Sequence, residues 1–259
     1  MLKYLLKAMR PRQWTKNVFV LAALVFDRQL FKLDALENTI QAFFIFCLLS
    51  SSVYLFNDVM DIEADRNHPV KKNRPIASGK LPLGVAIAAS AVFFLVSITW
   101  SYFLSTGFLV IAATYILLNL VYSKWLKHIP LVDVLVLASF YVLRVAAGVS
   151  VIEVERFSPW LYVVTTLFAL YIGFGKRRAE LMVLVKDNTQ SHRKVLSGYS
   201  IEFMDQLITV VSSTTIIAYS LYTFSAPNLP SNHTMMLTIP FVLYGIFSYL
   251  SLMQINKMG

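Results

Sequence analysis

The chain has 259 residues, 57% hydrophobic and 14% charged, with a formal net charge of +9 and a mean hydropathy of +0.63. So little polar surface cannot cover a soluble globule, which leaves a multi-span membrane protein. No basic soluble domain exists to hold nucleic acid, and the single cysteine, Cys47, excludes an internal disulfide, a Cys-based zinc site and CxxC redox chemistry.

Residues 2–9 set Leu2, Leu5, Leu6 and Met9 against Lys3 and Lys7, the pattern of a short helix lying in the membrane interface, and Pro11 then redirects the chain. Lys3, Lys7, Arg10, Arg12 and Lys16 precede an apolar run that lacks a small-residue cleavage pattern, so the segment is expected to be retained. A short apolar window near 16–32 is interrupted by Asp27, Arg28 and Lys32. Windows able to cross about 30 Å of hydrocarbon as helix follow near 36–56, 81–104, 107–123, 131–152, 157–175, 202–224 and 234–254. Counting the first stretch, eight spans are expected.

Where the 36–56 window runs out, the chain reads NDVMDIEADRNHPVKKNRPIASGKLP, 57–82, acidic and then basic. Asp58, Asp61 and Asp65, at i, i+3 and i+7, fall within about 60° of one another on a helix. Three carboxylates on one face repel each other and are costly near hydrocarbon unless a cation holds them. An oxygen-only ligand set suits Mg²⁺ bridged to a phosphorylated substrate, and the implied guest is a Mg²⁺-bound pyrophosphate. Asn57 is a neutral partner beside the carboxylates, while Lys71, Lys72, Arg74 and Lys80 are cations for phosphate oxygens. The bland alternative is a solvated loop of mixed charge. The aspartate spacing at a span end, with a basic stretch behind it, favours the site.

The segment VYSKWLKHIPLVDV, 121–134, carries Tyr122 and Lys127, which suit a polar headgroup or phosphate, or else serve with Trp125 as ordinary span-end anchors. Asp133 enters the next span, and Arg144 lies about 16 Å further along the axis on nearly the same face. An arginine that deep faces the bundle interior and needs a partner, so a structural ion pair and an anion site both stand. The second basic cluster, GKRRAELMVLVKDNTQSHRKVLSGYS at 175–200, lets a helix hold Glu180 between Lys176 and Arg177. It is either a snorkelling collar at a span end or a phosphate clamp joined by Arg193 and Lys194. His192 has no second His at metal-ligand spacing and reads as a solvated loop residue.

Alternate loops hold nearly all the cations, and the opposite set holds only Arg28, Lys32 and Arg156, so both termini and every basic loop are expected in the cytoplasm. Polar chemistry collects at that one face, whereas a channel or transporter would show it near the midplane of several spans. No linker, low-complexity tract or fixed repeat divides the chain. The expectation is a single integral-membrane domain over 1–259, an all-α polytopic transmembrane bundle.

These motifs resemble the UbiA-type prenyltransferase superfamily, whose first signature is NDxxDxxxD followed by RPxxxG. Here those positions are Asn57, Asp58, Asp61 and Asp65, then Arg74, Pro75 and Gly79. Within the superfamily the chain is similar to the decaprenyl-phosphate phosphoribosyltransferase branch. The matching stretches are RPRQWTKN at 10–17, NDVMDIEADRNHPVKKNRPIASG at 57–79, YVLRVAAG at 141–148, GKRRAEL at 175–181 and FVLYGIFSYL at 241–250. The superfamily's usual second aspartate-rich motif is missing from 176–200, where KRRAEL and Arg193 stand instead.

The resemblance implies transfer of 5-phosphoribose from phosphoribosyl pyrophosphate (PRPP) to a polyprenyl phosphate, with release of pyrophosphate, at the cytoplasmic face of the cell (inner or plasma) membrane. Asp58, Asp61 and Asp65 would be catalytic and hold Mg²⁺. Lys16, Asn57, Lys71, Arg74, Tyr122, Lys127, Arg144, Lys176, Arg177, Glu180 and Arg193 would bind the substrates. Members resemble nine-helix bundles, so a final helix beyond the eight counted is expected to be absent or cut away. Two other readings are carried: an aromatic prenyltransferase using the same aspartates for a prenyl diphosphate, and a non-catalytic lipid or anion transporter.

Overall fold

The structure, a computed structural model, describes residues 1–153, 159–187, 196, 198–226, 229 and 231–254, among which there are helices and turns and no strand. The helices are α1 (Leu2–Met9), α2 (Ala22–Phe26), α3 (Leu33–Met60), α4 (Ile62–Arg66), α5 (Leu83–Leu104), α6 (Thr106–Lys124), α7 (Val132–Val149), α8 (Pro159–Asp187), α9 (Ile201–Ser225) and α10 (Ile239–Gln254). Six of the described helical segments are long and apolar enough to cross a membrane: α3, α5, α6, α7, α9 and Thr234–Gln254. From Pro159 on, the expected 157–175 window lies in α8, which continues into the charged run Lys176, Arg177, Arg178 and Glu180. The 16–32 window departs from a single spanning helix. It is a 3-10 helix, Pro11–Leu21, followed by α2, which ends where Arg28 takes a left-handed φ of 57°.

The chain divides into two compact units, Met1–Ser123 with Leu143–Val154, and Lys124–Val142 with Glu155–Gly259. In the first, α3 and α5 meet through small residues. Ser52 donates to the Ser90 carbonyl at 2.9 Å and Ser90 donates back to the Ser52 carbonyl at 3.0 Å, an approach that larger side chains would forbid. On the other side of α3, Phe46 packs edge-on against Phe108 and Tyr115 of α6.

The 3-10 segment owes its packing to its period. With three residues per turn, side chains at i and i+3 eclipse, so Trp14, Asn17 and Val20 line one face, which Ala23 continues at the start of α2. Trp14 donates to Ser51 at 3.0 Å, Asn17 bonds Ser50 and Cys47, and Val20 and Ala23 are buried. Gly148 of α7 closes this contact, because a Cβ there would stand 1.9 Å from the Val20 carbonyl oxygen. The first helix, α1, joins the same unit by burying Ala8 and Met9 with Leu55, Ile76 and Leu81, while Leu2 and Leu6 stay exposed.

The second unit has its own core of Val134, Tyr171, Phe174, Met204, Ile208 and Ile246, with others. Tyr171 donates its buried hydroxyl to the Ile246 carbonyl at 2.9 Å, fixing α10 on α8. Arg178 pairs with Asp205 of α9 and donates to the Met253 carbonyl at 3.0 Å, in the last described turn of α10.

Candidate active site

The 57–79 stretch begins as the last turn of α3. That helix stops at Met60, Asp61 takes φ −92° and ψ 10°, and α4 starts at Ile62. Helical bonding survives the joint, with Asp61 N–H donating to the Asn57 carbonyl at 2.9 Å and Asp65 N–H to the Asp61 carbonyl at 2.8 Å. The joint alters the expected single face of three carboxylates. Asp58 and Asp65 are buried and held together, whereas Asp61, at the edge of that face and at the break, is exposed.

The element that unites them is the following turn. The chain comes back through the 3-10 helix Lys71–Asn73 and a tight turn in which Ser78 N–H donates to the Arg74 carbonyl at 2.9 Å and Gly79 sits at φ 72°. Pro75, Ile76 and Ala77 are buried, and this seats Arg74 beside the aspartates. Its NH1 lies 3.0 Å from Asp58 Oδ1 and 2.6 Å from Asp65 Oδ2, one nitrogen serving two carboxylates.

A second arginine reaches the same atom. Arg10 follows α1 in a left-handed conformation, lies 4.9 Å over the Tyr54 ring and donates its NH2 to Asp58 Oδ1 at 2.6 Å. It is absent from the site residues expected from sequence. A signal was present: Arg10–Pro11 and Arg74–Pro75 are both Arg-Pro pairs, and in neither does the arginine backbone adopt the right-handed helical region, as a following proline disfavours. These bonds engage one oxygen of each carboxylate, and the two arginines balance the two aspartates in charge.

Beside the cluster lies a cavity of about 490 Å³ between α3, α5 and α6, lined by Ser52, Phe56, Asn57, Ser90, Phe94 and Leu120 among others. Asn57, next in the chain to Asp58, lines it and accepts a 3.4 Å hydrogen bond from Ser123. Lys16 and Tyr122 are half-buried in this unit, and Lys71 is exposed. Arg144, also here, is buried, donates its Nε to Asn17 Oδ1 at 2.8 Å and its NH2 to the Tyr115 hydroxyl at 3.3 Å, and stacks over the Tyr115 ring.

In the second unit Asp133 and Arg177 form a buried pair at 2.7 Å. Arg177 also holds Glu180 at 2.6 Å, and Tyr199 donates to the other Asp133 oxygen at 2.6 Å. Burial, together with that hydrogen bond, pushes the Tyr199 phenol above its ordinary value. The expected helical grip on Glu180 therefore exists through Arg177, while Lys176 is exposed and Lys127 half-buried. Arg177 is paired with two carboxylates here, Asp133 of α7 and Glu180. Asp133 and Arg144, expected near one face of one helix, serve different partners. Arg193, together with His192 and Lys194, lies outside the described residues.

Among the described residues no three His, Cys, Asp or Glu side chains gather as a ready metal site. The donor set still fits Mg²⁺. That ion is commonly held by one or two carboxylates completed by substrate phosphates and water, and Asp58 and Asp65 are two buried carboxylates close enough to share a guanidinium nitrogen.

The family model described as the UbiA prenyltransferase family matches residues 18–258. A decaprenyl-phosphate phosphoribosyltransferase of Mycolicibacterium smegmatis is 34% identical over 229 residues, covering 85% of this chain and 70% of that protein. One from Mycobacterium tuberculosis is 33% identical over 241 residues, 92% of this chain and 79% of that protein. A solved structure of a UbiA homolog from Archaeoglobus fulgidus bound to DMAPP and Mg²⁺ has a TM-score of 0.74 at 19% identity, covering 94% of this chain and 86% of the other. With six apolar helices of spanning length and a family match over nearly its whole length, the chain is an integral membrane protein that belongs to the UbiA prenyltransferase family.

Proposed function

We propose that this protein transfers 5-phosphoribose from PRPP to a polyprenyl phosphate and releases pyrophosphate, at a site facing the cytoplasm. The observation that carries the reading is the pairing, within one unit, of the Arg10–Asp58–Arg74–Asp65 cluster with an apolar cavity that reaches Asn57. Such a pairing matches substrates in which phosphate groups and an isoprenoid chain must meet. The similarity to proteins named decaprenyl-phosphate phosphoribosyltransferase supports the choice of donor and acceptor. So does the run KRRAEL where a second acidic motif would hold a prenyl diphosphate.

Asp58 and Asp65, with Asp61 at the helix joint, would hold Mg²⁺, which supplies charge neutralisation for the pyrophosphate leaving group. Arg74 and Arg10 bind phosphate oxygens through their planar forks. Asn57 orients the donor at the mouth of the cavity, whose apolar walls take the isoprenoid nearest the phosphate. The anomeric C–O bond breaks with its electron pair leaving on pyrophosphate. A lipid phosphate oxygen forms the new C–O bond from the opposite face, and being anionic already it requires no general base.

The test uses the purified chain with Mg²⁺, PRPP labelled in the ribose and a polyprenyl phosphate. Label is expected in the organic-extractable lipid with pyrophosphate released, and omission of either substrate stops it. Passage of a labelled prenyl group from a prenyl diphosphate to an aromatic acid, with PRPP inert, establishes the aromatic prenyltransferase reading instead.

A further inference from the structure

Arg74 occupies the position that a cation shared by Asp58 and Asp65 would need. Its NH1 is 3.0 Å from Asp58 Oδ1 and 2.6 Å from Asp65 Oδ2, and Arg10 NH2 is 2.6 Å from the same Asp58 oxygen. A divalent ion bound by those same two oxygens at about 2.1 Å competes with both guanidinium groups for them and is repelled by their charge. Both arginines are only partly buried, with side-chain exposures of 31% and 28%, while Asp58 and Asp65 are at 3% each. The carboxylates are fixed in the core and the cations stand at its edge.

We propose that Arg10 and Arg74 are exchangeable counter-ions. They neutralise Asp58 and Asp65 while no metal is present, and pass to the diphosphate oxygens when metal and diphosphate enter together. This rests on the aspartates being the metal site of the proposed function. It disfavours a free divalent cation, since an ion that alone takes Asp58 Oδ1 and Asp65 Oδ2 displaces three charge-assisted hydrogen bonds and leaves both guanidinium groups without their carboxylate partners. When diphosphate accompanies the ion, its oxygens receive the released forks. Arg10 thereby becomes a substrate-binding residue beside Arg74.

The test measures Mn²⁺ binding to the full-length chain by the loss of the free-ion paramagnetic resonance signal, with and without inorganic pyrophosphate. The wild type is expected to bind Mn²⁺ weakly alone and about tenfold or more tightly with pyrophosphate. Arg74→Gln should bind Mn²⁺ alone about tenfold more tightly than the wild type and lose most of the gain from pyrophosphate. Arg10→Gln, which frees Asp58 only in part, should shift both in the same directions by less, and serves if Arg74→Gln does not fold. Lys3→Gln makes the same loss of one positive charge at an exposed position of α1 and should leave both constants as in the wild type. Unchanged or weaker Mn²⁺ binding in both arginine variants, or equal tightening in Lys3→Gln, overturns the exchange. Failure of every variant to bind Mn²⁺ even with pyrophosphate overturns the metal site itself.

Discussion

Arg144 donates its Nε to Oδ1 of Asn17 across 2.8 Å, joining α7 to the 3-10 segment that follows α1. Asn17 is buried and spends its amide on Ser50 and Cys47, so its carbonyl oxygen relies on the guanidinium. Arg144→Met should therefore destabilise the protein by about 1–3 kcal/mol, the cost of an unsatisfied buried acceptor. Thermal unfolding in detergent measures this. An unchanged melting temperature with a raised KM for one substrate would instead make Arg144 a phosphate ligand.

The three aspartates should separate by stability as well as by activity. Asp58→Asn and Asp65→Asn should each lower Mg²⁺-dependent turnover by about 100-fold or more and also lower the melting temperature, because each leaves part of Arg74's charge unmatched. Asp61→Asn should leave the melting temperature unchanged, since the residue is exposed at the joint. Its turnover should fall if it completes the metal site. Full Mg²⁺-dependent rates in Asp58→Asn and Asp65→Asn would remove the site assignment.

Breaking the Asp133–Arg177 pair should cost more than any surface substitution, because the side chains are 0% and 2% exposed. Asp133→Asn is expected to destabilise by about 3–5 kcal/mol, read by denaturation of the solubilised protein. A double variant, Asp133→Leu with Arg177→Met, should recover part of that loss by removing both charges.

Tyr199 gives the same cluster a pH dependence of definite sign. Its folded phenol titrates above the unfolded one, so its contribution is complete below about pH 10. The contribution is lost as pH rises through the folded value, when the hydroxyl can no longer donate to Asp133. Tyr199→Phe should flatten the alkaline fall in melting temperature, and an unaltered fall would assign it to other groups.

The acidic half of the site was legible because helical phase is arithmetic. Residues seven apart share a face, and Asp58 and Asp65 do meet, while Asp61, offset and at an unforeseen break, does not. Arg74 was legible from its place behind the acids. Arg10 was hidden, since a cation near a span is ordinarily a topology signal and only the returning chain shows which one turns inward. The carboxylate partner of Arg177 was hidden for the same reason. Three adjacent basic residues look alike in sequence, and the fold buries two of them on Asp133 and Asp205 while leaving Lys176 exposed. The short window near 16–32 was found, but its winding was not, because a buried face that repeats every three residues has the same apolar content as an α-helical one.

Gly148→Ala probes that three-residue face directly. The added methyl would sit 1.9 Å from the Val20 carbonyl oxygen, and main chain cannot yield as a flexible side chain does. A loss of about 3 kcal/mol is expected, at the upper end of overpacking costs. Wild-type stability would show that α7 can shift away without penalty.

The tighter winding of Pro11–Leu21 also makes it a measuring rod. Eleven residues at about 2.0 Å each reach about 22 Å, where an α-helix would reach about 16 Å. One end is pinned at Val20 by Gly148 and the other delivers Arg10 to Asp58. Removing three residues would keep the inward face in phase, as one whole turn is lost, yet shorten the rod by about 6 Å. Arg10 would then fall short of Asp58 although every remaining side chain faced the correct way. Length and phase are separable in this segment, and the site depends on both.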